Sequence, residues 1–550
     1  MSNIIINRKV LEQSVGKKLT LDQLKERISM MDAVLEKVNR DELEVEVFPS
    51  RPDMLSEQGF ARALASFIGA KTGLRNYPVK KSGLKINIDA SVKEVRPFTA
   101  CAIVKGIKFD DEKITEIIQL QEKLHTTYGR NRKKAAIGVY PLEKITFPVT
   151  FKAEKPDQIS FIPLEADEAM TGAQILSRHK AGREYGALLE GKAKFPIFID
   201  AKNEILSMPP IINSQLTGRI TPQTKDVFIE CSGFDYDALS ICLNIIVTSL
   251  AEMGGEVYSL ELIYPDDKKI SPDLSPRKMK LDLTYVNKRL GLSLKEKEVI
   301  GLLEKMGFGY EKGMVLIPPY RADIMHQVDL AEDIAIAYGY ENFTEELPNV
   351  STIGEEAPLE KFARKVREVL VGLELMEVKN IHLLTELELN KRMNLAAKLI
   401  TLKNALGENN TLRNSVLPSL LKNLQENQHN LYPQNIFEIG RIFEWAEEAE
   451  TGVGEKDNLG IVLCHDKTDF TQIRQSLDAL MRSLGLEAVI RDAKHASFIP
   501  GRVGNIVIEG KKVGIIGEIH PQALTNWGIT MPVVAMEMDV EGLWGLVNKK

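Results

Sequence analysis

The sequence has 550 residues, which at roughly 100–200 residues per domain predicts about three to five domains and excludes a single compact core. Hydrophobic residues make up 44% and charged residues 27%, which excludes a disordered chain and indicates domains that each bury a core. The 77 acidic residues outnumber the 71 basic ones, and the net charge of -6 excludes a general attraction to nucleic acid. Any RNA contact must therefore be local or shared with a partner.

Cysteine spacing and hydropathy bear on the compartment of the protein. The cysteines lie far apart without C-x-x-C spacing, at Cys101, Cys231, Cys242 and Cys464. This spacing predicts reduced, structural thiols and argues against a zinc site or a disulfide framework. The amino terminus lacks the apolar run of a signal peptide, and no segment approaches the ~18 apolar residues of a membrane helix. We therefore expect a cytoplasmic protein without membrane contact.

The first segment, about 1–82, is predicted to contain two helical stretches and a linker. The charged run Leu21–Val38 is predicted to be helical, and Leu55–Ile68 has the apolar spacing of an amphipathic helix. Ser56 is a suitable residue to begin this second helix. The stretch 78–83 contains Pro and Gly and predicts a linker to the next segment.

The second segment, about 86–265, mixes strand and helix patterns and predicts an α+β domain. Strand-like alternation occurs at 84–89 and 227–230, and helical patterns occur at 115–124 and 236–251. Three prolines within the polar tract 264–276 mark its end.

The last two segments, about 273–348 and 357–550, complete an α+β multidomain chain. The third segment is small, with helical patterns at 285–290 and 294–306, a strand at 314–317 and a helix that begins near Val328. The fourth has a long amphipathic helix at Leu359–Leu373, a hairpin at 505–517 and a strand at Val533–Val540. For the fourth segment we expect helices that enclose an antiparallel sheet.

Four carboxylates lie close together in the third segment. If Asp329 begins the helix, Glu332 and Asp333 lie three and four residues further on, on the same face. Asp323 follows the preceding strand and can join them. Like charges this close repel one another, and a hard divalent cation such as Mg²⁺ neutralises them through oxygen ligands. The alternative is a helix cap at Asp329 with acidic residues in the first turn, where the helix dipole favours them.

The stretch 318–343 resembles the P-x-x-R-x-D-I-x-x-x-x-D-L-x-E-[ED]-x-A-x-x-Y-G-Y signature of phenylalanyl-tRNA synthetase beta subunits. Further blocks similar to the short archaeal and eukaryotic type of this family follow in order, at 50–64, 130–140, 209–214, 411–421, 437–443 and 517–521. The resemblance covers nearly the whole chain. It implies an N-terminal module at 1–82, a tRNA-binding editing domain at 86–265, a magnesium-binding helical module at 273–348, and a non-catalytic, class II synthetase-like domain at 357–550.

The resemblance also implies cofactors and partners. Asp323, Asp329, Glu332 and Asp333 match the positions at which the family binds Mg²⁺, with Asp333 where Glu is common. The family forms an α2β2 ligase whose alpha subunit binds ATP and phenylalanine and carries out the activation. The partners implied are this alpha subunit and tRNA(Phe), and no DNA or membrane partner is expected.

The fourth segment resembles a class II synthetase fold that has lost its catalytic residues. A working site of this class uses arginines to bind ATP phosphates, one of them in a late Gly-rich block. No late G-x-G-x-x-R block occurs in this sequence, and Gly501-Arg-Val-Gly504 has the wrong order. We therefore predict that Arg413 and Arg441 are structural and pair with local carboxylates or pack against the catalytic partner.

The second segment resembles the editing domain of the family, which removes tyrosine attached in error. A strand at Val227–Ser232 places Phe228, Glu230 and Ser232 on one face, and Glu230 is the candidate for contacting the tyrosine hydroxyl. Candidates for holding water and the terminal ribose lie in the preceding turn, at Asn213, Ser214 and Thr217. The alternative is that these side chains only satisfy backbone groups around the turn. Pro141 stands where the family usually has Asp, which leaves the level of editing activity open.

The basic run Arg130–Lys134 has two interpretations. Arg and Lys can neutralise the phosphates of an RNA backbone, but such runs are also common on solvated surfaces. Two other functions also remain open for the whole chain. One is a free-standing hydrolase that acts on mischarged tRNA through the second segment, and the other is a non-enzymatic nucleic-acid-binding or assembly protein.

Overall fold

The computed structural model describes residues 2–347, 349 and 353–549 and divides into two compact units, Met1–Glu346 and Leu347–Lys550. The first three segments predicted from the sequence lie in the first unit, and the fourth forms the second unit. All four cysteines are free and buried. The chain is a mixed α/β, multidomain protein.

The first unit contains eighteen strands and ten helices within its described residues. The strands are β1 (Ser2–Asn7), β2 (Ala33–Asn39), β3 (Glu42–Val47), β4 (Val79–Ile88), β5 (Phe98–Lys105), β6 (Ala135–Pro141), β7 (Val149–Glu154), β8 (Ser160–Phe161), β9 (Met170–Thr171), β10 (Phe195–Ile199), β11 (Ile205–Met208), β12 (Ile212–Asn213), β13 (Val227–Gly233), β14 (Glu256–Ile263), β15 (Lys268–Ser271), β16 (Arg277–Lys280), β17 (Gly309–Glu311) and β18 (Met314–Ile317). The helices are α1 (Arg8–Val15), α2 (Leu21–Met30), α3 (Glu57–Phe67), α4 (Asp111–Thr126), α5 (Gly172–Arg178), α6 (Lys180–Tyr185), α7 (Tyr236–Glu252), α8 (Leu283–Leu290), α9 (Glu296–Lys305) and α10 (Gln327–Tyr338).

The first segment is a three-stranded sheet, in the order β1-β3-β2, with its helices beside it. The helix predicted at Leu55–Ile68 is confirmed as α3, and the Ser56 hydroxyl caps it by accepting from the Gly59 amide. The helix predicted at Leu21–Val38 is wrong in its second half, because α2 ends at Met30 and β2 begins at Ala33. Asp32, with φ of 61°, reverses the chain between them.

A larger sheet forms the second segment, in the order β12-β11-β10-β7-β4-β14-β5-β13-β6, with β15 beside β14. The linker predicted at 78–83 is wrong, because these residues begin β4, which pairs in parallel with β14. Strand β13 lies between β5 and β6, and every one of its residues is buried. One of its faces packs with α4 and α7, and Phe228, on the other face, belongs to a second core.

The third segment packs α8, α9 and α10 against a small sheet in the order β16-β18-β17. The predicted strand at 314–317 is confirmed as β18, and both short helices are confirmed as α8 and α9. The helix near Val328 begins at Gln327, with His326 as its N-cap. The expectation that Asp329 begins the helix is therefore wrong, since Asp329 occupies the third helical position and completes a capping box.

The second unit contains a seven-stranded sheet with helices packed against it and a separate sheet of three short strands. Its strands are β19 (Met376–Glu377), β20 (Leu383–Leu384), β21 (Ile400–Thr401), β22 (Thr411–Leu412), β23 (Gln434–Trp445), β24 (Val453–Cys464), β25 (Val489–Asp492), β26 (Phe498–Ile508), β27 (Lys511–Ile519) and β28 (Val533–Asp539). Its helices are α11 (Pro358–Gly372), α12 (Glu386–Leu389), α13 (Leu417–Glu426), α14 (Phe470–Ser483), α15 (Pro521–Trp527) and α16 (Val540–Val547).

The main sheet of this unit has the order β19-β23-β24-β28-β27-β26-β25 and is antiparallel except where β19 meets β23. The predicted helix at Leu359–Leu373, the hairpin at 505–517 and the strand at Val533–Val540 are confirmed as α11, β26 with β27, and β28.

Candidate functional site

A cavity of about 720 Å³ opens in the first unit beside β6 and β13. Helix α4 forms one wall through residues such as Ile117 and His125, and α6 contributes Tyr185. The chain from Pro209 to Asn213, which connects β11 with β12, forms another wall. The cavity is large enough for an amino acid with part of an attached group.

Two polar side chains, Asn213 and Glu230, line this cavity, and the fully buried Tyr140 contacts both of them. The Tyr140 hydroxyl lies 3.1 Å from Oε1 of Glu230 and 3.3 Å from Oδ1 of Asn213. Gly138 lies opposite Glu230 in the strand register, and a Cβ there would come within 2.6 Å of Oε1 of Glu230. The sequence Gly138-Val-Tyr140 therefore leaves room for the carboxyl group and supplies its hydrogen-bond donor.

Burial controls the charge of the Glu230 carboxyl group. Loss of water raises its pKa to about 8, although the Tyr140 hydrogen bond and the nearby Arg96 charge lower it. The carboxyl group is therefore mostly protonated at neutral pH. Its Oε2 is buried and has no hydrogen-bond partner among residues 2–347, 349 and 353–549. A protonated carboxyl with a free oxygen can hydrogen-bond a hydroxyl group brought into the cavity.

The sequence predicted four residues for this site, and two of them line the cavity. Glu230 and Asn213 do so, and Ser214 and Thr217 do not. The Ser214 hydroxyl accepts from the Leu216 amide at 3.3 Å, and the Thr217 hydroxyl donates to the Leu206 carbonyl at 3.4 Å. These contacts fit the alternative that both side chains satisfy backbone groups around the turn, and the assignment of Ser214 and Thr217 to the site stays a prediction.

The neighbours of Glu230 on β13 also differ in role. Phe228 stacks on Tyr140 with ring centroids 5.8 Å apart, but it is fully buried and does not line the cavity. The Ser232 hydroxyl accepts from Nε of Arg96 at 3.1 Å and lies outside the cavity. Pro141 is buried at the end of β6 and does not line the cavity.

Ser207 is a candidate site residue that the sequence did not reveal. Its hydroxyl is buried on β11, has no hydrogen-bond partner among the described residues, and lies near enough to Tyr140 to influence the pKa of that phenol. A serine within the run Ile205–Met208 carries no motif of its own, so only the strand pairing brings it to this site.

The basic run Arg130–Lys134 forms a tight turn whose members separate. Arg130, Asn131 and Arg132 have φ of 50°, 52° and 64°. Arg132 turns inward to the wall of the cavity, while Arg130 and Lys133 are exposed. Contact of the exposed pair with RNA stays a prediction.

Arg321 takes up two of the four carboxylates predicted to bind Mg²⁺. Its Nε lies 2.8 Å from Asp323, and its Nη2 lies 2.6 Å from Asp323 and 2.7 Å from Asp333. Burial raises the pKa of Asp333, although the Arg321 charge opposes the shift. A second buried pair, Arg51 with Asp53 at 2.9 Å, contributes to the same field. Arg321 therefore neutralises two acidic residues of its own motif, Asp323 and Asp333.

The other two carboxylates point to different tasks. Oδ2 of Asp329 accepts from the amides of Met325 and His326, both at 2.7 Å, and Glu332 is exposed. No group of three or more His, Cys, Asp and Glu side chains that could hold a metal ion occurs in the described ranges. The prediction that Asp323, Asp329, Glu332 and Asp333 form one cation site does not fit this arrangement. Arg321 pairs with Asp323 and Asp333, and Asp329 accepts from backbone amides at the start of α10.

Two arginines of the second unit pair with local carboxylates, as predicted. Arg413 is fully buried, with Nη2 2.8 Å from Oε1 of Glu438 and Nε 2.9 Å from the Arg441 carbonyl. Arg441 is half exposed and pairs with Asp457 and Glu455, each at 3.1 Å. Both guanidinium groups are therefore engaged by the protein itself.

Comparison with known proteins agrees with these features. A model of the tRNA synthetase B5 domain matches residues 279–340, and one of the phenylalanyl tRNA synthetase beta chain CLM domain matches residues 344–540. The chain is thus built from domains of aminoacyl-tRNA synthetases. The phenylalanine–tRNA ligase beta subunit of Pyrococcus abyssi is 38% identical over 99% of this chain and 100% of that relative. That of Archaeoglobus fulgidus is 40% identical over 97% of both chains. The chain belongs to the family of phenylalanine–tRNA ligase beta subunits.

A solved structure matches part of the chain. The crystal structure of an N-terminal fragment of the phenylalanyl-tRNA synthetase beta subunit from Pyrococcus horikoshii is 36% identical, with a TM-score of 0.59. The match covers 61% of this chain and 99% of the fragment. In the described part of the chain, no helix is both long and apolar enough to cross a membrane.

Proposed function

We propose that the chemistry of this ligase is divided between two kinds of chain. A catalytic alpha subunit binds ATP with Mg²⁺ and phenylalanine, and it charges tRNA(Phe) within an α2β2 complex in the cytoplasm. This chain contributes the cavity beside β13. In this cavity the ester bond between tyrosine and mischarged tRNA(Phe) is hydrolysed. The family membership supports the first half of the proposal, and the buried carboxyl of Glu230 carries the second.

The second unit supports activation on the partner. A class II site needs arginines that are free to bind phosphates, and Arg413 and Arg441 are held by Glu438, Glu455 and Asp457. The sequence also lacks the late Gly-rich arginine block. Neither of these two arginines is therefore free to hold an ATP phosphate.

The cavity supports hydrolysis of a tyrosyl ester. Phenylalanine and tyrosine differ by one hydroxyl group, and an apolar activation pocket rejects the larger one weakly, so a second site has work to do. Glu230 offers an unpaired, buried oxygen that a phenol can satisfy. Bound phenylalanine would leave this buried oxygen unpaired, whereas the tyrosine hydroxyl would pair with it. The site therefore favours tyrosine over phenylalanine.

The two histidines on the cavity wall do not serve as a general base. His125 accepts from the Ile137 amide at 2.8 Å and pairs with Glu122 at 3.2 Å. His179 accepts from the Ala181 amide and meets the Leu164 carbonyl, both at 3.2 Å. Because both nitrogens of each ring are engaged, hydrolysis depends on an oriented water, and Asn213 is the candidate that holds it.

Deacylation of preformed tyrosyl-tRNA(Phe) by the complex tests this proposal. Glu230→Ala and Asn213→Ala are each expected to slow tyrosine release at least about tenfold, because each removes a hydrogen bond worth ~1.5 kcal/mol. Gln223→Ala, which removes an exposed amide outside the cavity, is the control and keeps the wild-type rate. Wild-type hydrolysis in both cavity variants would remove this site from consideration.

A further inference from the structure

One arginine joins three separate parts of the cavity wall. Nη1 of Arg132 lies 2.8 Å from the Ile211 carbonyl and 3.4 Å from the Pro210 carbonyl. Its Nη2 lies 2.9 Å from Oε1 of Glu122 on α4, and its guanidinium stacks over the Tyr185 ring at 4.1 Å. Only 13% of the side chain is exposed. This is the geometry of a fixed brace, since a planar guanidinium fills several acceptors at once.

The backbone of Arg132 is fixed as well. Its amide donates to the His125 carbonyl at 3.0 Å, and its carbonyl accepts from Nη2 of Arg96 at 3.3 Å. The same Arg96 holds the Ser232 side chain, two residues after Glu230. The brace is therefore anchored to the strand that carries Glu230 and reaches across to the chain that carries Asn213.

We propose that Arg132 is a positioning residue of the hydrolytic cavity, which holds the 209–213 chain against α4 so that Asn213 meets Tyr140 and Glu230. The inference rests on the proposed hydrolytic function. Ile211 is two residues from Asn213, so release of its carbonyl frees the segment that bears the water-holding amide. Arg132 itself acts through this segment and does not bind tRNA phosphate.

Steady-state deacylation of tyrosyl-tRNA(Phe) by the complex separates positioning from tRNA binding. Arg132→Ala is expected to lower kcat by about 10–100-fold, as small displacements of reacting groups do, with KM changed less than about threefold. Arg132→Lys keeps the charge but cannot fill the three acceptors, and it is expected to leave kcat low. Lys144→Ala removes an exposed charge outside the cavity and should keep the wild-type kcat. Retained aminoacylation by each variant complex shows that it is folded.

Two kinetic results overturn the proposal. One is a raised KM with a normal kcat in Arg132→Ala, together with a normal KM in Arg132→Lys. This is the pattern expected if Arg132 contacts a tRNA phosphate. The other is normal kcat and KM in Arg132→Ala. If the wild-type complex does not hydrolyse tyrosyl-tRNA(Phe), the proposed function is wrong, but the positioning role of Arg132 can still be tested by amide hydrogen exchange. Exchange of the amides of residues 211–214, which follow two prolines, is then expected to rise at least about tenfold in Arg132→Ala, and unchanged exchange refutes the brace.

Discussion

Arg413→Met is expected to lower the free energy of unfolding by about 3–5 kcal/mol, because it leaves a buried carboxylate without its cation. Glu438 would lose its ion pair and keep the Asn380 side-chain amide at 2.8 Å and the Asn380 backbone amide at 3.4 Å, neither of which is charged. Urea unfolding of the full-length chain measures the effect. The matched control is Arg441→Met, which removes a half-exposed arginine from its ion pairs and should cost less than about 1 kcal/mol.

Equal losses in Arg413→Met and Arg441→Met would contradict this account of the second unit. Such a result would mean that the Arg413–Glu438 pair is not the neutralised, buried contact on which the structural role of Arg413 depends. Loss of ATP binding by the isolated chain in either variant would contradict the account from the other direction.

Glu230→Gln is expected to stabilise the chain increasingly as pH rises from 5 to 8.5. The folded pKa of Glu230, about 8, lies above that of the unfolded carboxyl, so the wild-type protein binds the extra proton only when folded. This contribution to stability is complete at low pH and is lost as pH rises through the folded pKa. Glutamine has no proton to lose, so the variant's advantage should grow by something on the order of 4 kcal/mol over this range.

Urea unfolding of the full-length wild-type and variant chains at the two pH values measures this change. Glu190→Gln, which removes an exposed carboxylate, controls for the loss of one acidic group. A difference between Glu230→Gln and wild type that stays the same at pH 5 and 8.5 would show that the carboxyl group is already ionised in the folded protein.

Local elements of the fold were largely predictable from the sequence. The helix at 57–67 has a suitable N-cap in Ser56. The strands β26 and β27 follow one another directly in the sequence and are joined by a short turn that contains glycine. The strand at 79–88 was mistaken for a linker because its stabilising partner, β14, lies about 180 residues away in the sequence. Patterns within a short window contain no information on a pairing of that kind.

The candidate site was predictable only in part, for a related reason. Alternation along β13 identified the face of Glu230, and the turn composition identified Asn213. The same composition also selected Ser214 and Thr217, which serve the backbone. The carboxylates of the third segment are a second example. Their spacing in the sequence indicated that they lie close together, but it did not show that the buried guanidinium of Arg321 pairs with Asp323 and Asp333.

ATP–pyrophosphate exchange with phenylalanine is the measurement that most directly tests the division of chemistry between the two chains. No exchange above background is expected from this chain alone at any concentration, and exchange is expected once the alpha subunit is added. Exchange by the purified chain that increases in proportion to its concentration would contradict the central claim, since it would place the activation site within these 550 residues.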